Sequence, residues 1–414
     1  MPYWLALLAG SLVFGSCLVA AMVLPRHYAT LTILLGIGGF VATLYILGTI
    51  AQVYSTPVAI GAAVLVVVAG ISLGYTIAAS TIPHLADLPR GTTSLPPARP
   101  VDSAIVLLES AEPDRYDPRA VAHRHNLLAD SAEIELPLTA IPFIFLTEKT
   151  RYRAVGGSAP GHRAARSLAE KVEALWDEGK APEVALASNQ YPGDLRAVVA
   201  ARIAAGADRV VVVALGATES AATDRALESL DAGEGRALAS RVTVAPSIWH
   251  DSGLVSRLVE RIVACVGDTP RAHIGVALVC PGAPEVWEHR YAGAAETENY
   301  FVQRVRMRLT EAGLKCDHLR VAWLEWQAPD VTETVRHLAV LGCQRIICVP
   351  ATTVLPTLDT LLELERATTY ARVPDSVSVV TLGAWADDDA IARAVRAAAT
   401  SALEGAGRQD SGAL

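Results

Sequence analysis

Hydrophobic positions follow two different rhythms along this chain. Over the first 80 residues they are almost continuous, in runs at Tyr3–Leu24, Ala29–Val53 and Pro57–Ser80, each close to the ~20 residues that cross a bilayer as a helix. Three transmembrane helices are predicted. The stretch "TIPHLADLPRGTTSLPPARP" (81–100) then carries five prolines and neither helical nor strand periodicity, so it reads as an extended linker. From Val101 onward the pattern breaks into short apolar runs separated by amphipathic stretches: "SAIVLLES", "EVALAS", "DRVVVVAL", "HIGVALVC", "LRVAWLE", "QRIICVP" and "SVSVVTL". Uninterrupted apolar strands alternating with helices predict an α/β fold whose parallel sheets are covered on both faces.

This second region repeats itself. "AARIAAGADRVVVVALGATESAATDRALESL" (200–230) aligns with "VRHLAVLGCQRIICVPATTVLPTLDTLLELE" (335–365), each reading helix, Gly, Arg, buried strand, polar loop, helix. Gly206 and Gly342 are expected to end their helices at C′, with Arg209 and Arg345 introducing the strands. The expected layout is an anchor at 1–80, a linker at 81–100, two similar Rossmann-like halves at 101–268 and 269–405, and an unstructured tail at 406–414.

Composition narrows the functions available. A formal net charge of −8, with no Lys/Arg cluster, argues against a nucleic-acid surface. The spans contain no Asp, Glu, Lys, Arg or His, which removes the groups that ion and proton pathways use. The first span lacks a basic flank and two more follow it, so it reads as a retained anchor and not as a cleaved signal. Arg26, Arg90 and Arg99 fall on one side of a three-span topology, which places the C-terminal bulk in the cytoplasm, on the inner face of the membrane. Gly70 and Gly74, and the cluster Gly36, Gly38 and Gly39, permit close helix packing, either among these helices or with transmembrane partner subunits. The six cysteines are scattered without CxxC spacing and read as reduced, mostly buried thiols.

Candidate chemistry is sparse. The turn in "LVCPGAPEVW" (278–287) stands where an α/β sheet binds ligands, yet near it are only Cys280, Glu285 and His289. His250–Asp251 and His289 suggest parts of a triad, but there is no GxSxG, P-loop or GxGxxG. His123 and His125, two apart on a helix, point away from one another.

Taken in order, "YRAVGGSAP" (152–160), "SIWHDSGLV", "CPGAPE" after a strand and "LDTLLELE" near the end resemble ferrochelatase and the related class II chelatases over essentially all of residues 103–400. The resemblance implies a chelatase-like fold in which a metal ion enters a porphyrin held between the two halves. It also implies a His on the loop after the first strand of the second half, and here Pro281 takes that place; a one-residue shift substitutes Cys280. Pro offers no proton acceptor. Opposite it the family carries an acidic row on a helix, matched by Asp359 and Glu363, whose i, i+4 spacing puts both carboxylates on one helical face. The loop "VALGATES" (213–220) lacks the tyrosines that relatives carry there, and Gly156, Gly157 and Ser158 form a turn that could approach a macrocycle through its backbone. The expectation is therefore a membrane-anchored, ferrochelatase-like pseudoenzyme, a structural or tetrapyrrole-binding subunit of a respiratory or photosynthetic complex. The alternative is a divergent chelatase that inserts a divalent metal using Cys280, His289 or His250 with Asp359 and Glu363.

Overall fold

The computed structural model describes the chain apart from residues 1, 55, 88–101, 133, 135, 177–180, 192–193, 217–220, 232–235, 291 and 412–414. Two units emerge, the first comprising residues 1–89 with 115–158, the second 90–114 with 159–414.

The first unit opens with α1 (Pro2–Val23), α2 (Arg26–Tyr54) and α3 (Pro57–Ser80), all three long and apolar enough to cross a membrane. Thr56 caps α3, its side-chain oxygen accepting the Ala59 N–H at 3.3 Å. Several of the glycines bring these helices into close contact with one another. A methyl group at Gly74 would strike the Leu12 carbonyl, one at Gly70 would meet Ser11, and one at Gly15 would strike the Ile71 carbonyl. Gly36 and Gly39 likewise face Cys17 and Gly10, whereas Gly38 faces open space.

Two further helices belong to the same unit, α4 (Pro118–Ala132) and α5 (Ile141–Ala154). Ile141 and Phe145 of α5 and Val121 and Ala122 of α4 share a buried cluster with Val19, Val23 and Ala79 of the apolar helices. Lys149 is buried, and its ammonium donates to the carbonyls of Ala21 and Leu24 at 2.9 and 2.7 Å, capping the end of α1. Tyr116 donates to the Val23 carbonyl at 2.6 Å and Tyr75 to the Thr139 carbonyl at 2.8 Å. Residues 115–158 thus pack with the apolar helices, where the sequence placed them in the first α/β half. The supposed linker also begins folded: Pro83–Asp87 is a 3₁₀ turn, and Ile82 and Ala86 lie in the same cluster. Apolar side chains at 82, 85 and 86 have a surface to bury against, which proline content alone does not reveal.

The second unit contains two parallel four-stranded sheets. Its first half is built from β1 (Ser103–Glu109), α6 (Gly161–Ala174), β2 (Glu183–Ser188), α7 (Asp194–Ala204), β3 (Arg209–Ala214), α8 (Ala221–Asp231), α9 (Arg236–Ala239), β4 (Val242–Val244) and α10 (Ser252–Ala264). The second has β5 (Ile274–Cys280), α11 (Glu285–Arg290), α12 (Ala292–Glu311), β6 (Leu319–Trp323), α13 (Val331–Val340), β7 (Arg345–Pro350), α14 (Leu364–Tyr370), β8 (Ser378–Thr381) and α15 (Asp389–Ser411). The strand orders, β2-β1-β3-β4 and β6-β5-β7-β8, are the same arrangement twice.

The repeat extends to helix ends. Gly206 (φ 114°) and Gly342 (φ 87°) adopt the left-handed conformation, and each helix closes with the same pair of bonds: Gly206 N–H to Ile203 and Ala207 N–H to Arg202, Gly342 N–H to Ala339 and Cys343 N–H to Leu338. One apolar core runs through both halves, from Ile105 and Leu107 on β1 through Trp249 and Phe301 to Trp385 and Val395. Val395 and Ala399 put α15 in that core beside Ala165 and Leu168 of α6, so the C-terminal helix returns to the first half. The tail expected to be unstructured from 406 continues as helix to Ser411.

Candidate functional site

Because both sheets are parallel with matching order, the C-terminal ends of their central strands, β1 and β5, are the equivalent places for chemistry. They differ sharply. At the end of β5 the chain turns through Pro281–Pro284, with Gly282 at φ 82° and no room for a side chain, since a methyl group there would strike the Glu325 carbonyl. Leu324 and Glu325 donate their N–H groups to the carbonyls of Cys280 and Pro281 at 3.0 and 3.2 Å, tying this turn to the exit of β6.

Beneath it Cys280 is fully buried and hydrogen-bonded to Glu298 of α12 and Thr352 after β7. The Thr352 hydroxyl donates to Glu298 Oε1 at 2.6 Å. Burial pushes the Cys280 thiol well above its usual range, and burial likewise raises the Glu298 carboxyl. The cluster is closed and proton-bearing, so Cys280 does not offer the thiolate that metal ligation requires. His289 lies on α11, and its side chain falls outside the described residues.

The acidic row takes a different backbone from the α-helix expected. Asp359–Glu363 is a π-helix continuing into α14, closed by the Leu364 N–H on the Asp359 carbonyl. The widened turn brings positions i and i+4 nearly into line. Asp359 and Glu363 are both half-exposed, and Glu363 pairs with Arg366 at 3.0 Å. The turn begins at the seam between the halves: the Leu358 N–H donates to Glu112 of the first half at 3.2 Å, and Gly161 at the start of α6 faces the Pro356 carbonyl so closely that a methyl group would collide.

At the end of β1 the chemistry is polar. Glu109 is buried, and its Oε1 lies 3.0 Å from His162 Nδ1 on α6. Its Oε2 is buried with no hydrogen-bond partner among the described residues. Arg166, one turn along α6, points Nη2 at His162 Nε2 at 3.4 Å. Burial raises the Glu109 carboxyl above its usual range, opposed by His162; the hydrogen bond to Glu109 in turn raises His162. Around the pair, Asn189 Nδ2 donates to Ser110 Oγ at 2.9 Å and to Thr223 Oγ1 at 3.1 Å, and Gln190 Nε2 donates to the Ser110 carbonyl at 3.0 Å. Sequence reasoning passed over Glu109 and His162, although an acid closing the apolar run "SAIVLLE" was a visible signal.

The remaining candidates have the following local contacts. Asp251 caps α10, accepting the N–H groups of Gly253 and Leu254 at 2.6 and 3.2 Å, while exposed His250 lies tilted against Tyr300, ring centroids 5.5 Å apart. Gly156 (φ 79°) and Gly157 (φ 87°) close α5 through bonds to Arg153 and Tyr152. His125 contacts Asn126 at 3.5 Å, and among the described residues no three His, Cys, Asp or Glu side chains meet at metal-binding spacing. Of the "VALGATES" loop, residues 217–220 lie outside the described residues.

Comparison with known proteins places this geometry in context. A ferrochelatase of Synechococcus sp. (strain RCC307) is 26% identical over 283 residues, 63% of this chain and 72% of that protein. Among solved structures, the sirohydrochlorin chelatase of Bacillus subtilis subspecies spizizenii, determined with cobalt, superposes with a TM-score of 0.46 at 12% identity, covering 75% of this chain and 98% of its own. A second, described as the terminal enzyme for siroheme biosynthesis in denitrifying bacteria, gives 0.41 at 16% identity over 72% and 99%. The family model described as ferrochelatase matches residues 102–402, and the chain belongs to the ferrochelatase family.

Proposed function

We propose that this protein is a membrane-anchored chelatase that inserts a divalent metal ion into a tetrapyrrole at the seam between its two α/β halves. The observation that carries this reading is the π-helical turn at that seam, which lines up Asp359 and Glu363 as two half-exposed carboxylates. Hard carboxylate oxygens exchange divalent ions readily, as a site that must hand its metal onward requires. A metal substrate approaching the macrocycle would pass between this row and the first half, which Glu112 and Gly161 bring alongside. The three apolar helices hold the catalytic unit at a bilayer, where apolar tetrapyrroles partition, with the α/β unit on the cytoplasmic side.

The second reading, a non-catalytic tetrapyrrole-binding subunit of a membrane complex, draws its support from Pro281 and the closed Cys280–Glu298–Thr352 cluster beneath it. One assay separates the two. Full-length protein in detergent, given protoporphyrin and zinc or cobalt, is expected to form metalloporphyrin above the protein-free rate. Asp359→Ala should lower kcat by at least ~10-fold if its carboxylate handles the entering metal ion. Background turnover by the unmodified protein, together with porphyrin binding, would instead establish the non-catalytic reading.

A further inference from the structure

We propose that the proton acceptor of this chain is His162, positioned by Glu109, at the end of the central strand in the first half, the counterpart of the strand end where Pro281 leaves no acceptor. The inference rests on the metal-insertion reading above. Glu109 is the last residue of β1 and Cys280 the last of β5, and both central strands pair in parallel with the same neighbours in the duplicated sheet order. The duplication therefore offers two equivalent sites. One is sealed by apolar burial and a protonated thiol, and the other holds an imidazole on a carboxylate.

The hydrogen-bond pattern selects the useful tautomer. Arg166 has only donors to present to Nε2, so Nε2 carries the lone pair and Nδ1–H donates to Glu109, which accepts as the carboxylate. This arrangement raises the basicity of the imidazole and fixes its ring, while 28% of the His162 side chain remains exposed toward solvent. Burial holds the Glu109 carboxyl above its usual range even though His162 and the Ala111 backbone N–H both favour its charged form, so a carboxylate there is costly as mere scaffolding. That cost falls when the neighbouring imidazole takes up a proton and becomes cationic.

The step balances without any oxidant or reductant. Each N–H bond of the free-base macrocycle breaks with its electron pair remaining on the ring nitrogen, where it becomes a bond to the entering divalent ion. The proton forms a new Nε2–H bond on His162, displacing Arg166 from its 3.4 Å contact, and Glu109 opposes the imidazolium charge. His162 then passes the proton to water and accepts the second. The charged groups facing His162 are Glu109 from β1, Asp114 from the loop that follows and Arg166 from its own helix, while Asp194 of α7 acts on Glu109.

The test uses full-length protein in detergent, zinc and protoporphyrin, with kcat followed against pH and porphyrin affinity followed by fluorescence. His162→Asn should lower kcat by ~10²-fold or more while leaving porphyrin Kd within about threefold. Glu109→Gln keeps the shape and an acceptor but removes the charge that raises His162, so the acid limb of its kcat profile should move to lower pH. A purely structural pair would give no such movement. Zinc insertion by the unmodified protein with an unchanged rate in His162→Asn, or an unmoved acid limb in Glu109→Gln, overturns the assignment but leaves the metal-insertion reading standing. Absence of insertion by the unmodified protein removes both. If His162→Asn fails to fold, the pH shift of the isosteric Glu109→Gln decides.

Discussion

A carboxyl that keeps its proton when folded makes stability depend on pH in a fixed direction. Glu298 is such a group, raised by burial beside Cys280 and Thr352. Its folded pKa exceeds its unfolded value, so between the two the native chain binds more protons than the unfolded one, and stability falls as pH rises through that window. Glu298→Gln does not titrate, so its melting temperature should vary less with pH than that of the unmodified protein when both are scanned from about pH 4 to 8. Parallel curves would mean that folding does not shift the Glu298 carboxyl. The sequence hides this residue because "ETEN" on an amphipathic helix looks like an ordinary solvated face, and only the packing of α12 against β5 and β7 turns one of its acids inward. Gly282 is different, since a glycine between two prolines already announces a turn. Gly282→Ala places a methyl group against the Glu325 carbonyl at positive φ and should cost at least ~1 kcal/mol, measured by denaturant unfolding.

At the scale of elements, what was legible is what local chemistry determines. Gly206 and Gly342 end their helices identically because only glycine enters the left-handed region without penalty, and that residue is visible in the sequence. Asp251 before an apolar-periodic run is likewise a cap by local rules, which agrees with the absence of a GxSxG nucleophile to complete a triad with it. Asp251→Ala should therefore cost about 1 kcal/mol in thermal stability and leave metal insertion unchanged; a collapse of kcat at intact Tm would restore the triad. The π-turn was not legible, because an i→i+5 bond at Leu364 differs from an α-helical one by a single carbonyl, and nothing local in "LDTLLELE" distinguishes the two. β4 was missed for a related reason. Its three residues are half-exposed or exposed and acquire strand geometry only by pairing with β3.

The whole molecule divides at places that periodicity does not mark. α4 carries an amphipathic pattern and α5 almost none, and neither pattern says whether a helix packs on a sheet or on other helices, so the sequence assigned 115–158 to the α/β half, whereas they pack on the apolar helices. The difference changes what truncation does. Removing residues 1–100 strips Val19, Val23, Ala79 and Ile82 from Phe145 and Ile141, and it removes the Ala21 and Leu24 carbonyls that accept from Lys149. Burial already lowers the Lys149 ammonium from its ordinary value, and the lost carbonyls are what offset its desolvation. The cut removes none of the residues that form the core running from Ile105 through Trp249 to Val395. Residues 101–414 should therefore retain one cooperative thermal transition while 115–158 becomes exposed, apolar and open to protease. Limited proteolysis should cut first between 115 and 158 in the truncated chain and leave that segment protected in the full-length protein in detergent. In the intact chain, Lys149→Met should open the same segment to cleavage, since it leaves the α1 carbonyls without their donor. Equal protection of 115–158 with and without the first 100 residues would show that these helices fold on the α/β unit after all, returning the segment to the first half.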